Sequence, residues 1–190
     1  MKNFLIGCQG TKGNNTDLAY KQLFINFPYR AVFLKDVKNV YKALKNKEID
    51  FALVPIKNST TGYIKQSKEL FLNNPEFNYI KEINIPIHHC LFIHQKGDIK
   101  KIKSIASHPQ AIMQSRNNLS KLIKNFSIIE ELDTSIAAKK LLSGEYDITT
   151  GVICRKETGK KIGLQLIKEN IEDNINNNTT FYLFENNINV

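Results

Sequence analysis

The order in which hydrophobic periodicities follow one another constrains this chain more than any single motif. Met1–Cys8 ends in an apolar run that reads as a first, buried strand. Asp17 to Phe27 places Leu18, Leu23, Phe24 and Phe27 on one helical side, and Arg30–Leu34 is strand-like. Asp36 then stands as a cap before Val37, Val40, Tyr41 and Leu44, which follow the i, i+3, i+4, i+7 spacing, and Ile49–Val54 supplies a third strand. Strand, helix, strand, helix, strand is the signature of an α/β unit, with ligands expected at the loops on the strand ends.

Past Pro55 the polar string Lys57–Gly62 predicts a turn, and Tyr63–Leu72 predicts a helix. A second unit begins near Ile85. Its predicted strands are Leu91–His94, Ser104–Ala106 and Asp147–Val152; its predicted helices are Pro109–Phe126 and Thr134–Leu142. Pro109 suits a first helical turn, Asp133 a cap and Gly144 a stop. Strand candidates Leu164–Ile167 and Phe181–Phe184 flank the polar stretch Asn170–Thr180. Two similar α/β units with a polar loop at each change of unit predict a ligand cleft between them.

Composition narrows the function. At 190 residues, 42% hydrophobic and 24% charged, the chain is neither disordered, collagen-like nor a coiled coil. No apolar run approaches the ~20 residues of a membrane span, and the N-terminal one is too short for a signal-peptide core. Cys8, Cys90 and Cys154 are odd in number and lack any Cys-x-x-Cys pair. That argues against a disulfide scaffold or a zinc site and for a reducing, cytoplasmic setting. The net charge is +9, yet only Arg30, Arg116 and Arg155 of the 27 basic residues are arginines. Phosphate and base-edge recognition recruits arginine forks, so a small anion, and not nucleic acid or a membrane, is the expected partner.

Four histidines carry no metal pattern: His88 and His89 would point to opposite faces of a strand, and no carboxylate sits at a ligand spacing. They read as structural or exposed. Ser107-His108-Pro109-Gln110 lies at a strand-to-helix junction whose backbone N–H groups suit a carboxylate. Gly7–Gly13 fits an anion cradle or a plain tight turn equally well and matches no nucleotide-binding loop. Asn58-Ser59 and Asn177–Thr180 are dense in amides and hydroxyls that could orient a polar substrate; as bare composition they read as ordinary loops. No Ser/His/Asp triad or carboxylate pair can be assembled.

Five strings in register resemble the catalytic domain of prephenate dehydratases. They are Gly7-x-x-Gly10-Thr11; Val54-Pro55-Ile56-Lys57-Asn58-Ser59 with Gly62; Pro86–Leu91; Ser107–Ala111 with Gln114; and Gly163-Leu164 through Glu169–Asn174 to Asn177-x-Thr179-x-Phe181. The resemblance implies two α/β subdomains of the periplasmic-binding-protein-like type II fold, residues 1–83 with 163–190 and residues 84–162. It implies no metal or organic cofactor, a domain that commonly dimerises, and conversion of prephenate to phenylpyruvate in phenylalanine biosynthesis. It gives Thr179 the position of the catalytic threonine. Thr11, Asn58, Ser59, Ser107, Gln110, Thr180 and Phe181 become substrate-binding residues, and Gly62 allows the turn after Ser59.

The chain departs from the family pattern at Lys57, where a glutamate is usual, and at Thr180, where an arginine is usual. The exchanges have opposite electrical sense, so Lys57 is expected to replace the cation missing at Thr180 and to join the binding set. Non-aromatising prephenate decarboxylation and silent binding of aromatic-pathway acids stay open beside dehydration. On this length the amino-acid-sensing ACT domain that often follows in the family is not expected.

Overall fold

The computed structural model describes residues 4–187 apart from Asn26 and Pro28. Residues 1–3 of the expected first strand and Asn26 of the expected first helix lie outside the described residues. The chain divides into two compact units, Met1–Ile87 with Asn178–Val190, and His88–Asn177. Residues 163–177, expected with the first unit, fall in the second because their strand pairs there.

In unit 1 the chain runs β1 (Leu5–Gln9), α1 (Asn15–Leu23), β2 (Arg30–Leu34), α2 (Val37–Lys45), β3 (Phe51–Asn58), a short β4 (Gly62–Tyr63), α3 (Lys65–Ser67, continuing as a π-helical turn over Lys68–Leu72) and β5 (Phe77–Pro86). Unit 2 contributes β6 (Cys90–Ile93), β7 (Ser104–Ser107), α4 (Pro109–Gln114), α5 (Arg116–Leu122), β8 (Ser127–Glu130), α6 (Thr134–Ser143), β9 (Thr150–Cys154), α7 (Lys156–Lys161) and β10 (Gln165–Lys168). β11 (Asn178–Asn186) then returns to unit 1.

Local chemistry sets the helix ends. Asn14 Oδ1 accepts the Asp17 N–H at 2.9 Å, so α1 starts two residues before Asp17, and it stops at Leu23 rather than Phe27. Asp36 caps α2 through the Asn39 N–H at 2.8 Å, Asp133 caps α6 through Ser135, and Gly144 ends α6 at φ 81°. The helix expected over Pro109–Phe126 breaks at Ser115, whose φ of −118° and ψ of 3° separate α4 from α5.

The unit 1 sheet has strand order β2-β1-β3-β11-β5, with β4 beside β3. Along the main path β11 alone runs against its neighbours, and the short β4 also lies antiparallel to β3. α1 covers the face holding Ile6, Cys8, Leu53, Phe181 and Leu183, while α2 covers the face holding Ala52, Val54, Ile56 and Phe184. Unit 2 repeats the plan in the order β8-β7-β9-β6-β10, with β6 the reversed strand. Here Leu91, Ile105 and Ile153 meet residues of α4 and α5, and Phe92, Ala106 and Val152 meet α6.

One irregularity in β3 decides which side chains share a face. Phe181 pairs with Pro55 and Thr180 with Lys57, so Ile56 is an extra residue in β3 without an opposite number in β11. Simple alternation would place Asn58 with Val54 and Ile56. The bulge turns it instead to the face of Thr179, Phe181 and Leu183, and sends Lys57 to the face of Thr180 and Tyr182.

Candidate active site

The end of β3 and the start of β11 meet in a buried polar junction. Asn58 is 1% exposed and Thr179 8% exposed. Asn58 Oδ1 accepts the backbone N–H groups of Thr60 and Thr61 at 2.9 and 3.1 Å, which fixes the orientation of the amide. Its Nδ2 therefore faces the other way. It donates to the Asn178 carbonyl and to Thr179 Oγ1, both at 3.0 Å. A threonine hydroxyl that already accepts a hydrogen bond keeps its own proton for donation, so this arrangement gives Thr179 Oγ1 a defined polarity. Ser59 closes the junction: its N–H donates to Asn178 O at 2.8 Å, and its Oγ accepts the Asn178 N–H at 2.9 Å.

Lys57 and Thr180 stand across from each other in the β3–β11 register. The Lys57 ammonium lies 5.5 Å from the centroid of the Tyr63 ring, which Lys68 approaches from 4.6 Å. The bulge thus separates this cationic pair from Thr179 by a sheet face. Phe181 is 2% exposed and packs with Leu53, Ile85 and Leu183, forming an apolar wall on the Thr179 side.

The turn after β1 is built around its own carboxylate. Gly10 and Gly13 adopt φ of 87° and 101°, the left-handed region that glycine tolerates, and the Gly10 N–H donates to Leu34 O at 2.7 Å. The Gly13 N–H donates to Asp17 Oδ2 at 2.9 Å, and Lys21 neutralises that buried acid at 2.6 Å. The Gly13 N–H is thus satisfied within the turn itself. Thr11 sits in it, partly buried.

In unit 2 the Ser107 hydroxyl donates to Ile153 O at 2.7 Å, and Ser107 is fully buried. His108 caps α4, its Nδ1 accepting the Gln110 N–H at 3.2 Å, and burial pushes its pKa down. Gln110 follows at the first turn of α4, half-buried.

A second polar knot, missed as such in the sequence, surrounds the start of β6. The Glu172 side chain, 1% exposed, accepts the His89 N–H at 2.9 Å and pairs with His88 Nδ1 at 2.8 Å. Gln114 Oε1 lies 2.9 Å from His89 Nε2 and accepts from Asn177 Nδ2 at 3.0 Å. Burial lowers the His89 pKa, and because the Gln114 amide oxygen can only accept, Nε2 is the donor in this contact. Gln114 and Glu172 both belong to strings noted above, but their partners lie 25 to 84 residues away, which no local pattern reveals.

Among the described residues no three metal-ligating side chains cluster, and no helix is long and apolar enough to cross a membrane.

Two α/β sheets, each with one reversed strand along its main path that is supplied after a crossover, define the periplasmic-binding-protein-like type II class. A solved prephenate dehydratase from Arthrobacter aurescens, in complex with L-Phe, superposes with a TM-score of 0.82 at 24% identity, covering 96% of this chain and 60% of that one. The family model for prephenate dehydratase matches residues 6–189. A prephenate dehydratase of Methanocaldococcus jannaschii is 30% identical over 90% of this chain and 61% of its own length. The bifunctional chorismate mutase/prephenate dehydratase of Buchnera aphidicola from Schizaphis graminum is 35% identical over 76% of this chain and 37% of its own. The chain belongs to the prephenate dehydratase family, and it spans less than two thirds of the length of these relatives.

Proposed function

We propose that this chain is a prephenate dehydratase acting in the cytoplasm, with Thr179 as its catalytic hydrogen-bond donor. In the reaction the bond from the ring to its carboxylate breaks and carbon dioxide departs. The released electron pair completes the aromatic ring as the C–O bond opens. The hydroxide takes up a proton, drawn ultimately from solvent, and leaves as water; the product is phenylpyruvate. A threonine is too weak an acid to protonate a group outright, so its value lies in a donor fixed in advance where negative charge develops.

The observation that carries this reading is the 3.0 Å contact from Asn58 Nδ2 to Thr179 Oγ1, with the amide oriented by Thr60 and Thr61. It supports a hydroxyl held as a donor. Asn58 is read as a positioning residue, because the hydrogen bonds just described occupy both ends of its amide. Thr11, Ser59 and Gln110 are assigned to hold the two substrate carboxylates and the side chain, Ser107, whose buried hydroxyl is donated to Ile153 O, to position the turn that carries Gln110, and Phe181 to wall the ring. Lys57 and Thr180, on the other sheet face, are assigned to the rim. A homodimer belongs to the same reading, and sedimentation of the purified chain tests it.

Incubation with prephenate followed by product identification tests the activity. Phenylpyruvate is expected, lost on Thr179→Val. A dihydro-hydroxyphenylpyruvate would reassign the chain as a non-aromatising decarboxylase, and saturable binding without consumption would make it a silent binder.

A further inference from the structure

Unit 2 carries an open pocket of about 540 Å³ between α5 and the edge strand β8. Its volume lies in the range of small-molecule sites. Its charged lining is entirely basic: Lys103, Arg116 and Lys124, with no carboxylate among them. None of the three has an acidic partner within 4.0 Å among the described residues. Asp147 senses Lys103 electrostatically, but it is turned to the Thr149 N–H and hydroxyl and does not line the pocket.

Lysine is abundant in this chain, so two lysines on a wall say little. Arginine occurs three times, and Arg155 is held by Glu157 at 2.9 Å. An arginine left unpaired beside two further cations is the informative element, because its fork matches a phosphate or carboxylate bidentately. The wall is also anchored. Lys103 O accepts both the N–H and the Oγ of Ser127, at 2.9 and 3.3 Å, tying the start of β8 to the residue that leads into β7. Between the cations, half-buried Phe126 and the 40%-exposed Ile128 add an apolar surface.

We propose that this pocket binds a small organic phosphate, its charged head held by Arg116, Lys103 and Lys124 and its ring against Phe126 and Ile128. Three cations with no acid favour a multiply charged head over a single carboxylate. The pocket lies wholly within unit 2 and shares no residue with the Asn58–Thr179 junction, so the proposal stands apart from the dehydratase reading.

Calorimetric titration of the full chain with ADP, and separately with inorganic pyrophosphate, tests it. One ADP per chain is expected, binding more tightly than pyrophosphate and losing about tenfold or more in affinity from low to high salt. Arg116→Gln is expected to weaken binding about tenfold, and the Arg116→Gln, Lys124→Gln double variant to abolish it, with its melting temperature unchanged because both side chains are exposed. Thr179→Val should leave the isotherm intact. The proposal is overturned by absence of saturable binding, by ADP binding no tighter than pyrophosphate, by full binding in the double variant, or by loss of binding in Thr179→Val.

Discussion

The two units share one strand plan and use it differently. In each, the reversed strand, β11 or β6, begins at a buried polar knot. In unit 1 the knot is built from neutral groups and ends on a hydroxyl: Thr60 and Thr61 orient Asn58, Asn58 donates to Thr179, and the Thr179 proton is left over. In unit 2 the knot is closed. Glu172 takes up His88 and the His89 backbone, and Gln114 takes up His89 and Asn177. The terminal register pair there is Cys90 with Cys154, both buried toward α6, and burial raises both thiol pKa values. The same topology thus carries one junction that ends on a hydroxyl and one whose hydrogen bonds run among its own members, a difference made by side chains and not by the fold.

The largest effect that could break this contrast is on turnover. Thr179→Val should lower kcat with prephenate by about 10²- to 10⁴-fold, the span typical of a lost proton-handling group, with little change in melting temperature. Next comes Asn58→Asp. It keeps the acceptor for Thr60 and Thr61 but presents an acceptor to Thr179, which would turn the hydroxyl proton inward; a kcat loss of about 10²-fold is expected. Unchanged kcat in this variant would sink the polarity argument.

His88→Ala should act on stability instead, costing about 1–3 kcal/mol in chemical denaturation by removing a partner of the buried Glu172. If it abolished turnover while leaving stability untouched, the two knots would not differ as described. The pH dependence has a defined sign. Burial depresses His89 and His108 below the ordinary 6.5, so below that value the unfolded chain takes up protons that the folded one refuses. Stability should fall from pH 6.5 downward, by at most about 1.4 kcal/mol per pH unit per histidine, and His89→Gln should flatten the slope. The smallest effect is expected for Lys57→Ala, under about 1 kcal/mol in substrate affinity, since its ammonium lies over Tyr63. A larger loss of affinity would bring Lys57 back as the replacement for a cation at Thr180.

Much of the fold was legible because caps and periodicity agree at α2 and α6, where Asp36, Asp133 and Gly144 do what their chemistry predicts. β5 and β8 escaped because they are edge strands: in β5 only Phe77 and Ile85 are buried, and Lys81-Glu82 in its middle reads as loop. α7 has no apolar stripe; it packs through Gly159, where a Cβ would come within 2.4 Å of the Phe92 ring. At the site, residue types were visible but their faces were not. Alternation from Val54 through Ile56 assigns Asn58 to the wrong side, and only the pairing with β11, 121 residues along the chain, exposes the extra residue. Long-range register is set by packing that a local window does not contain.

The placement of β11 also bears on the order in which the protein is made. Unit 2 is one uninterrupted stretch, His88–Asn177, whose strands can pair as soon as they emerge during synthesis. Unit 1 must wait, because the strand between β3 and β5 is the last to appear. Thr179 arrives on that strand. A nascent chain halted before it would have Asn58 without the hydroxyl it orients, so the proposed chemistry switches on only after the β3–β11 pairing, the most non-local contact of the site, has closed.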